Sequence, residues 1–485
     1  MTPASATSPR AADPTIPSDI ANPRARLAPG DIPLEVLSRQ DAWSTRAGAM
    51  VSTLVVLLLI AICSLASWSQ TQTPPPDPTL KVKPQFFTSQ DRQDAIRKAA
   101  IYTPKGVAEV DIMTGPAQKK KEFQFHMNDT VTCEFVTPGQ QMGGNTPKFL
   151  CKILKVESLD GTVQTASDQI NDDPLKVKFG DDNREVYAEI VSSRLLWALG
   201  FYTDAWYSIR VDCTNCPADP ESGSGARAPR TFKEASVVRK LEGHKMVETG
   251  NDDEGWSWKE FETLNGSPTY EKDGLKLMAA FISHSDNKPP QQRLVCDTVT
   301  TDTTTQPPTV TCHLSQMVVQ DVGATFGGGG AFTENTTAKI NIHEWSQKPV
   351  WKKVGKASDQ QPPQCQATLH KSLTAKDGLD DPMISEEGRR LTAGLMCQLS
   401  DQQITDMFKL ARVSEMPEFH NSDGSFKQGM SEDSVVQQWV TVFKQKREDI
   451  AAGRCQWKSQ PADLNVIDNP ANLPTVPNNC VAKVY

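Results

Sequence analysis

The chain has 485 residues, which is long enough for two or three domain-sized units. It carries 51 basic and 59 acidic residues, which give a formal net charge of -8. Proteins that bind nucleic acid usually carry a basic excess, so this balance argues against a nucleic-acid partner.

An apolar segment near the N-terminus predicts a membrane span. Residues 47–68 (AGAMVSTLVVLLLIAICSLASW) carry no charged side chain and are long enough to cross a bilayer as a helix. We expect an uncleaved anchor, and a late-starting cleaved signal peptide is the alternative. The composition of 1–46 predicts disorder, and that of 69–90 is typical of a linker. Arg46 borders the span and four other arginines precede it, which favours a cytoplasmic N-terminus and a periplasmic or extracellular main domain.

The cysteines agree with an exported main domain. Of the eleven, Cys63 falls in the predicted span and ten lie beyond it. An even number in an exported region predicts disulfides, and buried free thiols are the alternative. Zinc is not expected, because no second cysteine or histidine pair completes a four-ligand site. Proximity along the chain predicts the bridges Cys133–Cys151, Cys213–Cys216, Cys296–Cys312, Cys365–Cys397 and Cys455–Cys480.

The region 91–245 predicts a strand-rich unit. A short helix is expected at 91–104, and a Gly/Pro loop (TPGQQMGGNTP) predicts a wide hairpin. Residues 182–201 predict an amphipathic helix, because apolar side chains recur at helical spacing and Gly200 stands where a C-cap is expected. Strand-like runs occur at 131–136, 148–154, 175–180, 205–213 and 235–241.

The region 246–453 predicts a mainly helical unit, interrupted by short strands around RLVC and SQMVVQDVG. Ser400 is followed three residues later by a glutamine, which is typical of a capping box. The tail 454–485 is expected to be irregular and tied by a disulfide. Helices are predicted at 256–264, 273–285, 399–413 and 432–453. Strands followed by helices favour an α+β fold.

A lysine and a glutamate stand 11 residues apart. Lys178 lies on a predicted strand, where a lone lysine is most often a solvated edge residue. Glu189 lies in the following helix, where a lone glutamate is most often on the surface. In this order, however, strand lysine and helix glutamate are the pair with which kinases hold nucleotide phosphates.

Two later segments complete a kinase-like order. The stretch HSDNKPPQ can be aligned with the catalytic-loop pattern H-R-D-L-K-P-E-N, so that Asp286 takes the place of the aspartate and Gln291 that of the asparagine. The stretch QDVGATFG is similar to the D-F-G element, with Asp321 and Gly323 in the matching places.

On these residues the chain resembles the atypical protein-kinase-like superfamily, including HipA-type kinases and the secreted CotH-like and Golgi-type kinases. The resemblance covers about 131–413 and implies a bilobal kinase-like fold, with a strand-rich N-lobe and a helical C-lobe, which the predicted transmembrane helix precedes. It also implies ATP and magnesium as cofactors.

The resemblance implies a role for each matching residue. Lys178 would pair with the nucleotide phosphates, Glu189 would orient it, and Asp286 would accept or orient the substrate hydroxyl. The turn at Gly143 and Gly144 would cover the phosphates with backbone amides, although it does not match G-x-G-x-x-G.

The metal ligands implied are Asp321 and, at the asparagine place, Gln291, with Gln292 as a competing residue. The longer glutamine side chain departs from the family pattern. Ser285 replaces the arginine that receives an activation-loop phosphate, so no such switch is expected. Val322 replaces the large ring of D-F-G.

The function expected is therefore an extracytoplasmic, membrane-anchored kinase that transfers phosphate from ATP to a hydroxyl of a protein, glycan or lipid headgroup, with transfer of AMP as a variant. One alternative is a pseudokinase that binds without catalysis. The other is an envelope interaction or scaffold protein with an accidental resemblance to kinases.

Overall fold

The structure is a computed structural model. It describes residues 85–138, 142–144, 146–167, 170, 173–248, 255–302, 304–305, 309–327, 339–354, 365–372, 375–452 and 480. These residues all belong to one compact unit. The predicted disordered segment, the predicted span 47–68, nearly all of the predicted linker and the tail apart from Cys480 lie outside the described residues. Within the described part of the chain, none of the helices has the length and apolar character that crossing a membrane requires.

The described residues form a mixed α+β fold, as the sequence predicts. The helices are α1 (Ser89–Lys98), α2 (Glu185–Ala198), α3 (Trp258–Thr263), α4 (Thr269–Phe281), α5 (Ile342–Gln347), α6 (Glu386–Met396), α7 (Asp401–Leu410) and α8 (Glu432–Ala451). The first eight strands are β1 (Gln85–Phe87), β2 (Asp129–Val136), β3 (Lys148–Glu157), β4 (Val163–Thr165), β5 (Leu175–Phe179), β6 (Ala205–Asp219), β7 (Ser224–Arg239) and β8 (His244–Glu248). The others are β9 (Gln292–Cys296), β10 (Val299–Asp302), β11 (Thr309–Cys312), β12 (Ser315–Val319), β13 (Trp351–Val354), β14 (Cys365–Ala367) and β15 (Met383–Ile384).

The largest sheet is built from the predicted strand-rich region. Its strand order is β2-β6-β7-β5-β3-β4, and β2 also pairs with β3, so five of the strands form a closed ring. The pairing of β2 with β3 is antiparallel, which confirms the predicted wide hairpin. Alternate residues of β2 are buried, as expected for a strand with one face on a core. The ring encloses a core of its own, which includes Phe149, Val177, Tyr207 and Val237.

The hairpin of β6 and β7 is longer than predicted. The sequence PADPESGSGARAP favours a loop, yet the two strands stay paired as far as Asp219 and Ser224. Pairing with a long neighbouring strand outweighs the poor strand propensity of these residues. The bridge Cys213–Cys216 lies within this hairpin.

The helix α2 differs from its prediction in one respect. The apolar spacing predicted an amphipathic helix, but twelve of its residues are buried, including Glu189 and Arg194. A helix buried on all sides is a core element, and α2 joins the larger hydrophobic core rather than the core of the strand ring. Gly200 follows the helix with a φ of 89°, which confirms the predicted glycine at the C-cap.

The larger core lies among the helices. Two stacked indole rings, Trp345 and Trp439, lie 5.9 Å apart at its centre, and Phe326 and Phe408 pack against them. The sheet β1-β8-β9-β12 contributes further apolar residues to this core. Ser400 forms the predicted capping box at the start of α7.

Three of the five predicted disulfides are confirmed, namely Cys133–Cys151, Cys213–Cys216 and Cys296–Cys312. The predicted bridges Cys365–Cys397 and Cys455–Cys480 are wrong, because Cys397 is bonded to Cys480. The two Cα atoms lie 5.3 Å apart although the residues are separated by 83 positions. Proximity along the chain fails here because folding, and not sequence distance, brings the end of α6 to the C-terminal tail. Cys365 is disulfide-bonded as well.

Candidate functional site

The lysine and the glutamate that the sequence singled out are in contact. The Nζ atom of Lys178, on β5, lies 2.5 Å from Oε1 of Glu189, on α2. Both side chains are buried, with 2% and 0% of their surfaces exposed. The other oxygen of Glu189 accepts a hydrogen bond of 3.1 Å from the backbone N–H of Val322. One buried carboxylate therefore fixes both the lysine and the turn after β12.

That turn brings the predicted aspartate to the same ammonium. Oδ1 of Asp321 lies 3.4 Å from Nζ of Lys178, and 31% of the Asp321 side chain is exposed. The three residues come from a strand, a helix and a loop that are up to 143 positions apart. The site residues Lys178, Glu189 and Asp321 thus lie together.

A second glutamate, which the sequence analysis missed, completes the cluster. Oε2 of Glu185 lies 2.5 Å from Nζ of Lys178, and its Oε1 accepts a 2.6 Å hydrogen bond from the hydroxyl of Thr146. Glu185 precedes Glu189 by one helical turn, so the two lie on the same face, a spacing that could have revealed it. Glu185 also lies beside Gly323, which has no side chain. A Cβ atom added to Gly323 would lie only 2.8 Å from the carboxyl carbon of Glu185.

One ammonium thus faces three carboxylates. Although burial opposes its charge, Asp321, Glu189 and Glu185 raise the pKa of Lys178 well above its ordinary value. Burial also opposes the charge of Asp321, but Lys178 and then Lys176 hold the pKa of that carboxyl well below its usual range. Burial raises the pKa of Glu189, an effect that Lys178 opposes and Asp321 reinforces. The excess of acids over the lysine is the electrostatic setting in which a cation binds favourably.

The loop after α4 presents the other predicted aspartate. Oδ1 of Asp286 lies 2.8 Å from Nζ of Lys288, and its Oδ2 accepts a 2.9 Å hydrogen bond from the amide of Gln291. A quarter of the Asp286 side chain is exposed. The segment Pro289–Gln291 forms a 3-10 turn with proline at its start, which fixes the direction in which the loop enters β9.

The two aspartate loops lie side by side. The backbone N–H of Asp321 donates to the carbonyl of Gln291 over 3.4 Å, and that of Ser285 donates to the carbonyl of Ala324 over 3.1 Å. His284 is buried beneath both loops, and burial lowers its pKa to about 4 against the opposing effect of Asp286 and Asp321. It is therefore neutral at pH 7, in keeping with a structural role in the loop.

The predicted metal ligand Gln291 turns its amide nitrogen towards Asp286. Its competitor, Gln292, is 1% exposed and donates to the backbone carbonyl of Asn287 over 3.1 Å. Gln291 is therefore the more accessible of the two side chains.

The glycine pair lies in the loop that leads to β3. Gly143 and Gly144 are exposed, and Gly144 has a φ of 84°. The carbonyls of Gly144 and Thr146 accept hydrogen bonds of 3.3 Å and 3.2 Å from the ammonium of Lys148. Thr146 of this loop contacts the carboxylate cluster, because its hydroxyl donates a hydrogen bond to Glu185.

Two more lysines that the sequence analysis missed lie near Lys178. The ammonium groups of Lys176 and Lys178 lie 5.3 Å and 5.1 Å from the centre of the Trp206 ring. Nζ of Lys240 lies 3.0 Å from the buried carboxylate of Asp204. The i, i+2 spacing of Lys176 and Lys178 on one strand was the available signal, since such residues share a face.

Among the described residues, two groups of side chains bring potential metal-ligand atoms within 4.8 Å of one another. The first is Glu185, Glu189 and Asp321, and the second is the mostly exposed set His370, Asp380 and Asp381.

Comparison with known proteins gave no matching family model, no matching curated protein and no matching solved structure.

Proposed function

We propose that the chain is an atypical kinase-like phosphotransferase that moves the terminal phosphate of ATP to a hydroxyl group. The observation that carries this proposal is the contact of Lys178 with Glu189 and Asp321, at 2.5 Å and 3.4 Å. A strand lysine held by a helix glutamate, beside an aspartate that follows a later strand, is the set of groups that kinases use to hold phosphates and metal.

The donor set at this site fits magnesium. Mg²⁺ prefers carboxylate and phosphate oxygens, and the carboxylates of Asp321 and Glu185 are both part-exposed and within 4.8 Å. The amide nitrogen of Gln291 donates to Asp286, so its amide oxygen is the atom that would coordinate the metal. When bound, magnesium supplies positive charge that offsets the charge developing on the transferred phosphate.

The remaining roles belong to side chains of the chain itself. Lys178 holds a phosphate of the nucleotide by its ammonium, and Glu189 keeps that ammonium in place. Asp286 accepts the proton of the attacking hydroxyl, whose oxygen forms the new bond to the terminal phosphorus as the bond to the bridging oxygen breaks and ADP leaves.

A protein that binds the nucleotide without turnover is the second candidate function. It is favoured by one observation, the hydrogen bonds of 3.0 Å and 2.9 Å that Lys288 and Gln291 donate to Oδ2 of Asp286. An oxygen that already accepts two hydrogen bonds has little capacity left to accept one from a substrate hydroxyl.

We further propose that the domain works outside the cytoplasm, anchored by residues 47–68. Four disulfides in the described residues support this placement, since disulfides persist in oxidising compartments.

The test is a phosphate-transfer assay on the purified full chain with γ-labelled ATP and magnesium, followed as label on the chain and as free phosphate. Loss of a general base lowers such rates by about 100-fold or more, so Asp286→Asn is expected to do so while still binding ATP. Asp433→Asn, on an exposed residue of α8, is the matched control. Binding without turnover in the unaltered chain would establish the second candidate instead, and absence of both would refute the kinase-like proposal.

A further inference from the structure

The lysine two positions before Lys178 stands in an unusual electrostatic setting. Residues i and i+2 of a strand point to the same side, and the ammonium groups of Lys176 and Lys178 lie above the same indole ring, that of Trp206. Lys176 therefore lies on the same side of β5 as Lys178, nearer to the start of the strand.

The neighbouring lysines Lys178 and Lys240 each contact an acid. Lys178 has three carboxylates within 3.4 Å, and Lys240 lies 3.0 Å from Asp204, which it shares with Arg293. Among the residues that the structure describes, the contact of the Lys176 ammonium is the face of Trp206, at 5.3 Å, and not a carboxylate. An aromatic face attracts a cation only weakly compared with an anion.

Charges on several elements act on this ammonium. Burial, and then repulsion from Lys240 and Lys178, lowers the pKa of Lys176 to about 8, whereas Asp321 and Glu189 raise it. A part-buried cation that two other cations repel is costly to maintain, and such arrangements cluster at binding sites.

We propose that Lys176 is a further ligand-binding residue of this site, and that it contacts a phosphate group other than the one held by Lys178. The proposal rests on the proposed function and extends it. The ligands that bind at this site together present at least two separate phosphate groups. Strand residues i and i+2 are about 6.6 Å apart, so two ammonium groups on one strand face can reach different phosphates.

The second phosphate has two possible sources. It belongs either to the polyphosphate chain of the nucleotide or to an acceptor that already carries a phosphate. Both present the same chemistry to Lys176, and separate titrations distinguish them.

The experiment measures magnesium-ATP binding by calorimetry, and then binding of inorganic phosphate to the chain saturated with a non-hydrolysable ATP analogue. The variants are Lys176→Met, Lys176→Arg and, as a matched control, Lys152→Met, whose lysine is exposed on β3. We expect Lys176→Met to lower the affinity measured in one of the two titrations about tenfold, which is the effect of losing one charge-assisted hydrogen bond. Lys176→Arg and Lys152→Met should retain the affinity of the unaltered chain. Loss in the first titration assigns the phosphate to the nucleotide, and loss in the second assigns it to the acceptor.

A pH series provides a readout that a structural role would not change. In the affected titration, affinity of the unaltered chain should fall about tenfold from pH 7 to pH 9 as Lys176 loses its proton, and Lys176→Met should remove this dependence. If the unaltered chain binds ATP but Lys176→Met behaves like Lys152→Met in both titrations, the inference is overturned. If the unaltered chain binds no ATP, the proposed function itself fails.

Discussion

The backbone N–H of Val322 donates a 3.1 Å hydrogen bond to Glu189, whose other carboxylate oxygen lies 2.5 Å from Nζ of Lys178. The turn that carries Asp321 is thereby tied to a buried helix and to the strand lysine. Displacement of α2 would therefore move the lysine, the aspartate and the turn together, which makes this helix the element that aligns the site.

Removing the lysine should be costly at neutral pH. Lys178→Met leaves Glu189, Asp321 and Glu185 without their shared cation, and breaking a buried ion pair from one side costs about 3–5 kcal/mol. The loss should shrink as the pH is lowered, because Glu189 and Asp321, whose charged forms Lys178 no longer stabilises, then take up protons. Denaturant unfolding of the variant at pH 7 and pH 5 measures both effects, and a loss no greater than that of the exposed-site control Lys152→Met would contradict the account.

Restoring charge balance should recover part of that loss. The double variant Lys178→Met/Glu189→Gln no longer buries the charge of Glu189, so it should be more stable than Lys178→Met alone. A double-mutant cycle in denaturant measures the coupling, and strictly additive losses would show that the two side chains do not interact.

Glu185 should compete with the ligand for Lys178. An ammonium has three N–H donors, and three carboxylates already surround this one, so a phosphate must displace one of them. Asp321, at 3.4 Å, already has the longest contact and is the proposed metal ligand, and of the two glutamates Glu185 is 23% exposed whereas Glu189 is fully buried, so Glu185 is the glutamate that leaves. We expect Glu185→Gln to tighten magnesium-free ATP binding about fivefold, equivalent to about 1 kcal/mol, in calorimetry. Unchanged or weaker binding would show that Glu185 is not the competitor.

His284 should make stability depend on pH in acid. Its pKa is about 4 in the folded chain and near 6.5 when unfolded, so the unfolded state binds more protons between these values. The contribution of this group is fully present above pH 6.5 and is lost as the pH falls towards 4, with a total of about 3 kcal/mol. His284→Asn should flatten the fall measured by denaturant unfolding between pH 6.5 and pH 4. A fall as steep as that of His313→Asn, which alters an exposed histidine, would argue against this assignment.

The bridge Cys397–Cys480 should contribute more stability than the short bridge Cys213–Cys216. The separations are 83 and 3 residues, for which loop-closure entropy predicts about 4.5 and about 1.6 kcal/mol. Replacing each pair by alanine and comparing the free energies of unfolding checks this order. Peptide mapping under non-reducing conditions checks the pairing itself, and a peptide linking Cys365 to Cys397 would contradict it.

Local patterns were enough to predict most of the fold and part of the site. Apolar alternation located β2, β3 and β5, and helical spacing with Gly200 located α2. The positions of Lys178 and Glu189 then followed from a strand and a helix in fixed order. Burial on all sides of α2 was not predictable, because it depends on a core that forms from distant segments.

What the sequence could not reveal depends on contacts between distant segments. Glu185 is distinguished from a surface residue only by its contacts with Lys178 and Thr146, which form when the chain folds. The bridge of Cys397 to Cys480 likewise depends on where the C-terminal tail returns. Pairing by proximity therefore succeeded for the three bridges whose cysteines are at most 18 residues apart and failed for the two longer predicted bridges.

The most direct test of the central claim, that Lys178, Glu189 and Asp321 form a nucleotide-phosphate and magnesium site, is thermal unfolding of the full chain with and without magnesium-ATP. A ligand at 100 times its Kd stabilises the folded state by about 2.7 kcal/mol, so the melting temperature should rise by several degrees. The rise should require magnesium, disappear in Asp321→Ala and persist in Asp433→Ala. An unaltered melting temperature, or an equal rise in Asp321→Ala, would contradict the claim.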